Sequence, residues 1–136
     1  CMLFYTGISR KSISVLSEQN KNIIKNHQIL GEIRDLVDDV RLCISDHHLK
    51  CIGSIINEDW TLKKKLASKI SNSRIDHYYD IAIKNGAIGG KILGAGNGGF
   101  LLIYSEPEYQ ETIRNVLKLK EISFKIEPMG SVIINE

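Results

Sequence analysis

Apolar residues at Leu30, Ile33, Val37, Val40 and Ile44 step by three and four without a miss, the spacing that lines up side chains on one face of an α-helix. A looser version of the same period runs through Ile13, Leu16, Ile23 and Ile24. A third runs through Ile52, Ile55, Ile56, Leu62, Leu66 and Ile70, and the outer face of that helix carries Lys63, Lys64, Lys65 and Lys69. These lysines read as a solvated face whose stems cover apolar surface. Ser71-Asn72-Ser73 breaks the pattern. Ile75, Tyr78, Tyr79, Ala82 and Ile83 then predict a short helix that Asn85-Gly86 stops, with glycine supplying the left-handed residue.

Other segments read as strands. Leu3-Phe4-Tyr5-Thr6 is short, aromatic-rich and closed by Gly7, with Ser9 beyond it as a helix cap. Ala87-Ile88 and Phe100 to Tyr104 flank a glycine-rich stretch, giving strand, loop, strand. Pro107 opens a further helix with Ile113, Val116 and Leu117 facing inward. Ile122, Phe124 and Ile126 alternate with Ser123 and Lys125 as a half-buried strand, and Ser131 to Asn135 suggests an added edge strand. Helices gathered between strands, with a central loop too short for a parallel crossover, predict an antiparallel sheet covered on one face. The expected fold class is therefore α+β, a ferredoxin-like sandwich with additional helices after the first strand.

Composition narrows the function classes. The 136 residues are 43% hydrophobic and 25% charged, enough for one domain with its own core. Lys and Arg number 18 against 16 Asp and Glu, which is no basic excess of the kind that nucleic-acid binding needs. No run approaches the roughly 20 apolar residues of a membrane span. Three cysteines, an odd number without a C-x-x-C pair, form no disulfide framework and suit a reducing cytoplasm. The chain starts at Cys1 and enters an apolar run at once, so it reads as a fragment of something longer.

The segment from Gly86 to Phe100 is the feature that composition does not explain, since seven of the 11 glycines lie within it. Glycine inside strands loses backbone entropy and packs nothing, so this density calls for positive φ or for close approach of a backbone or a phosphate. Successive amides in such a loop can form an anion nest. Gly94-Ala95-Gly96-Asn97-Gly98-Gly99 formally matches G-x-G-x-x-G, but a dinucleotide fingerprint needs a helix next and a strand follows. The Walker pattern fails at Asn85 and Ile92. A plain tight hairpin is the bland alternative, although one or two glycines suffice for that. Cys43, His47, His48 and Cys51 form a second cluster, C-x3-H-H-x2-C, whose single helix face would hardly close a metal tetrahedron. It reads better as a helix junction capped by Asp46, and Trp60 reads as core.

The segment Gly86-Ala87-Ile88-Gly89-Gly90-Lys91-Ile92-Leu93-Gly94-Ala95-Gly96-Asn97-Gly98-Gly99-Phe100 closely resembles the third, C-terminal motif of the GHMP small-molecule kinases. The flanks Leu3 to Arg10, Leu62 to Asn72, Ile75-Asp76 and Phe124 to Ser131 resemble the D-glycero-D-manno-heptose 7-phosphate kinase branch nearly end to end. Asn97 departs from the glycine usual there, and asparagine is the substitute that best tolerates left-handed backbone.

The resemblance implies transfer of the γ-phosphoryl group of ATP, with magnesium, to the anomeric hydroxyl of heptose 7-phosphate. It also implies that the phosphate loop and the acidic residue near the sugar hydroxyl belong to an N-terminal half that these residues lack. The chain then represents one GHMP kinase C-terminal domain, residues 1–136, with the N-terminal half as its partner, no catalytic side chain or metal ligand of its own, and a homodimer left open. Gly94, Ala95, Gly96, Asn97, Gly98 and Gly99 are expected to wall the nucleotide phosphates with backbone. Thr6, Gly7, Ser9 and Arg10, at a strand end entering a helix, are expected to meet the sugar phosphate, or else to form an ordinary helix cap. Lys91 is expected either to reach a substrate phosphate or to pair with an acid at the core edge. Two other readings compete: a fucokinase-like or other sugar kinase of the same family, and a non-catalytic ferredoxin-like ligand-binding or regulatory module.

Overall fold

The structure, a computed structural model, describes residues 1–9, 13–130 and 132–133. The elements run β1 (Met2–Tyr5), α1 (Ile13–Lys21), α2 (His27–Ser45), α3 (Lys50–Lys64), α4 (Ser73–Lys84), β2 (Ala87–Ile92), β3 (Phe100–Ser105), α5 (Pro107–Leu117) and β4 (Lys120–Glu121). The sheet order is β2-β3-β1-β4, with every neighbouring pair antiparallel. This is the ferredoxin-like arrangement expected from the element order, with α1 to α4 filling the first crossover.

Register shows how the alternating residues make a core. Ile92, Leu101 and Phe4 lie side by side across three strands, as do Gly90, Ile103 and Met2. All five apolar residues of these two rows are buried, together with Ile75 and Ala82 of α4 and Ile113 and Leu117 of α5. Trp60 of α3 is fully buried among them, as its aromatic bulk predicts. Asn72 caps α4, its side chain accepting from the amides of Arg74 and Ile75 at 3.1 Å each.

The packing of α3 on edge strand β2 depends on two facing glycines. A Cβ at Gly89 would overlap the carbonyl oxygen of Gly53, and one at Gly53 would meet Ile88 and the Tyr104 ring at 2.7 to 2.9 Å. Only glycine at both positions lets helix and strand backbones approach this closely.

Several expectations are corrected. The α2 helix forms, but Leu36 and Cys43 are its buried residues whereas Val37 and Ile44 are 66% and 55% exposed; α2 packs mainly on α3, and only a narrow stripe is covered. The α3 helix ends at Lys64, so buried Leu66 and Ile70 reach the core from the following loop. The strand expected over Ile122 to Ile126 is instead the short β4, because the chain pairs with β1 two residues earlier and leaves Ile126 86% exposed. The edge strand at Ser131 to Asn135 lies largely outside the described residues, and Val132 and Ile133 are not in a strand.

The cysteines bring a further correction. Residues 46–49 turn α2 back on α3, bringing Cys43 and Cys51 to a Cα separation of 6.1 Å, and the two form a disulfide. Asp46 sits at the C-terminal end of α2 and does not cap α3. The bonded sulfurs remove the cysteine argument for a reducing compartment, and Cys1 is the free thiol. Among the described residues, no group of three or more His, Cys, Asp or Glu is placed to hold a metal, and no helix is long and apolar enough to cross a membrane.

Gly89→Ala is expected to lower stability by about 2 kcal/mol or more through overpacking against α3. Gly31→Ala, in α2 with open space around the added methyl, is expected to raise it by about 0.5–1 kcal/mol. Urea unfolding of both variants checks the pair.

Candidate functional site

The turn between β2 and β3 meets the exit of β1, and backbone hydrogen bonds hold the two together. Thr6 is fully buried, and both its N–H and its hydroxyl donate to the carbonyl of Gly99, at 2.9 and 2.8 Å. The Ile8 amide donates back to the Thr6 hydroxyl at 3.3 Å. The Gly99 amide donates to the Ile8 carbonyl at 2.9 Å, and the Leu93 amide closes the base of the loop on the Phe100 carbonyl at 2.9 Å.

A second tie anchors the tip. The Asn97 amide donates to the Ile70 carbonyl at 2.6 Å, and the Asn72 side-chain amide donates to the Asn97 side-chain oxygen at 2.8 Å. One asparagine thus caps α4 and holds the loop. Asn97 has φ 63°, the left-handed backbone that its residue type tolerates. Gly96, at φ 106°, has no room for a side chain, because its Cβ would stand 2.6 Å from the Ile70 carbonyl oxygen.

Tied and untied amides are interspersed along this loop. The amides of Asn97 and Gly99 are engaged, whereas among the described residues none accepts from the amides of Ala95, Gly96 or Gly98. These three residues line a cleft of about 230 Å3 together with Tyr5, Ile8, Ser9, Leu93 and Gly99. Residues with unpartnered N–H groups that line a cleft free of carboxylates among its lining residues can form an anion cradle. The aromatic rings of Tyr5 and Phe100, 5.5 Å apart, stand beside it on the sheet face opposite the core.

Lysines occupy the other side of the loop. Lys91 pairs with Asp59 of α3, the core-edge partnership rather than a free reach to a ligand. Lys63 donates to the Gly94 carbonyl at 2.6 Å. Burial, with the nearby Lys91 second and Asp59 opposing both, holds the Lys63 ammonium below its usual pKa. These residues border a separate cavity of about 330 Å3 that also touches Gly94 and Ala95. Lys63 is therefore not part of the solvated face that its lysine-rich surroundings suggest. Lys64 lies 5.8 Å from the Trp60 ring centre and 5.9 Å from that of Tyr79, and Lys65 and Lys69 are exposed.

Of the residues singled out in the sequence, Gly94 to Gly99 are brought against Thr6 and Ser9. Ser9 lines the cleft, Gly7 makes the adjoining turn at φ 69°, and the Thr6 hydroxyl is committed to the loop. Arg10 lies outside the described residues. Periodicity does not single out Asn72, Asp59 or Lys63. A helix-start pattern could have flagged Asn72, but no local signal links Lys63 to a carbonyl 31 residues away.

The profile of the family described as GHMP kinases C terminal matches residues 36–121. The chain is 24% identical over 123 residues to D-glycero-alpha-D-manno-heptose 7-phosphate kinase of Campylobacter jejuni, covering 88% of this chain and 36% of that protein. It is 27% identical over 121 residues to L-fucokinase/L-fucose-1-P guanylyltransferase of Bacteroides fragilis, covering 85% of this chain and 13% of that protein. Its fold superimposes on mevalonate kinase of L. major with a TM-score of 0.72 at 20% identity, over 86% of this chain and 37% of the other. The chain thus spans about a third or less of the length of these proteins.

Replacing Asn72 tests the tie between helix and loop. Asn72→Ala is expected to lower stability by about 1–2 kcal/mol through loss of the cap and of the Asn97 contact. Asn72→Ser, which keeps a cap oxygen, is expected to recover more than half of that loss in the same urea titration.

Proposed function

The chain belongs to the GHMP kinases by its C-terminal domain, and from that premise we propose that it forms the C-terminal part of a sugar kinase that phosphorylates the anomeric hydroxyl of D-glycero-D-manno-heptose 7-phosphate with ATP. The observation that carries the reading is the row of unpartnered amides at Ala95, Gly96 and Gly98 along the cleft. The choice of sugar is supported by similarity to the heptose 7-phosphate kinase across most of the chain.

Phosphoryl transfer depends on positioning and on stabilising charge over the transferred group. The loop serves both needs with backbone alone: its anchored amides fix its shape, and its free amides face phosphate oxygens. Positive φ at Gly96 and the absence of room for a side chain against Ile70 seat the loop backbone tightly on the domain and hold its shape. Ser9 lines the acceptor side of the cleft, Gly7 makes the turn beside it, and Thr6 shapes that wall through its bonds to Gly99. Magnesium, when bound with the nucleotide, supplies charge neutralisation; among the described residues no group of three or more His, Cys, Asp or Glu is placed to hold it, and no step assigned to this chain runs through it. The phosphate-binding loop and the acidic residue near the sugar hydroxyl come from the N-terminal half.

L-Fucose is the second acceptor to test, because the Bacteroides fragilis protein is similar over nearly the same span. ADP release with ATP and magnesium is measured for this chain alone and for the chain joined to its N-terminal half. Turnover of heptose 7-phosphate is expected only in the joined protein. Turnover by the chain alone overturns the shared site, and silence of a folded joined protein toward both sugars overturns the sugar-kinase reading.

In the joined protein, Gly96→Val is expected to lower kcat by about 100-fold or more, the scale of losing an oriented donor at a transition state. Lys65→Ala, on an exposed side chain, is expected to leave kcat within about twofold. Steady-state kinetics of the two variants provides the check.

A further inference from the structure

We propose that Lys63 is a positioning residue that aims the Ala95 amide into the cleft. The inference rests on the kinase reading above and adds a residue of α3 to the same site. Its basis is the planarity of the peptide group. In a trans peptide the C=O of one residue and the N–H of the next point in opposite directions. Lys63 holds the Gly94 carbonyl at 2.6 Å, which fixes the plane of the Gly94–Ala95 peptide and turns the Ala95 N–H away from α3. Ala95 borders both cavities: one contains Lys63 and Lys91, and the other is the cleft of unpartnered amides.

The peptide needs such a hold. Gly94 has φ 79° and nothing within 4 Å of where its Cβ would be, so sterics alone do not select one orientation. Behind Lys63, the Asp59–Lys91 pair ties α3 to β2 at the start of the loop. Lys91 is thereby paired, which leaves the Gly94 carbonyl to Lys63. A charge-assisted hydrogen bond of this kind is stronger than a neutral one, and it can keep a glycine peptide from flipping.

The test uses the joined protein with Lys63→Met, Lys63→Arg and Lys65→Met. Lys63→Met keeps the apolar stem and removes the donor; Lys63→Arg keeps a donor. Lys63→Met is expected to lower kcat about 10-fold or more with the KM for heptose 7-phosphate within twofold. Lys63→Arg is expected to restore most of the loss, and Lys65→Met to match the parent. Amide hydrogen exchange at Ala95 provides a readout independent of turnover. Adding ADP and magnesium is expected to slow it in the parent and in Lys63→Arg but not in Lys63→Met. Equal slowing in Lys63→Met, or an unchanged kcat in that variant, overturns the role of Lys63 and leaves the kinase reading standing. A parent whose Ala95 exchange does not respond to nucleotide overturns the phosphate-wall reading itself, and the inference with it.

Discussion

The backbone contact between Gly53 of α3 and Gly89 of β2 governs what the rest of the molecule can place around its glycine loop. A helix normally keeps its distance from a strand because side chains stand between them; here none does. From that close approach α3 carries Trp60 into the core, presents Asn57 to the hydroxyl of Tyr79, sets Asp59 beside Lys91 and extends Lys63 to Gly94. Moving α3 outward by even a methyl radius would disturb all four. Gly89 of β2 thus acts on the helix side of the domain, and Gly96, Gly98 and Gly99 line the cleft.

The loop combines a fixed shape with unsatisfied backbone donors. Buried amides without partners are costly, so a fold keeps them only at a boundary where water or a ligand can serve them. Asn97 and Gly99 take carbonyls of Ile70, between α3 and α4, and of Ile8, between β1 and α1. Those anchors let Ala95, Gly96 and Gly98 face the cleft without collapse of the loop onto itself. In the dinucleotide and Walker arrangements a helix follows the glycines and its dipole assists the anion. Here β3 follows, so the local donors must come from the loop peptides and their orientation matters more.

Much of this was legible in the residues. The helical steps over Leu30 to Ile44, the asparagine-glycine stop after α4, Pro107 at the start of α5 and the strand-loop-strand reading around Gly94 all correspond to elements of the structure. These signals are local, set by period, caps and backbone freedom over a few residues. Which face of α2 would be covered was not local: Val37 and Ile44 obey the period and yet stand exposed, because α3 offers only a narrow partner surface. The alternation of Ile122, Phe124 and Ile126 was equally regular, but β1 is only four residues long and its pairing with β4 ends at Phe4 opposite Glu121.

The sequence by itself determined the α+β class, the order of elements and the place where glycine would be indispensable, since steric exclusion at positive φ acts on each residue alone. Only the tertiary structure decided which lysine of the run Lys63-Lys64-Lys65 bonds to the loop, that Lys91 pairs with Asp59, that Cys43 bonds to Cys51, and that the Thr6 hydroxyl belongs to Gly99. Each of those outcomes depends on a partner 8 to 93 residues away. Side-chain chemistry states what a group can bond to, and the packing of α3 on β2 and of the loop on β1 selects the partner.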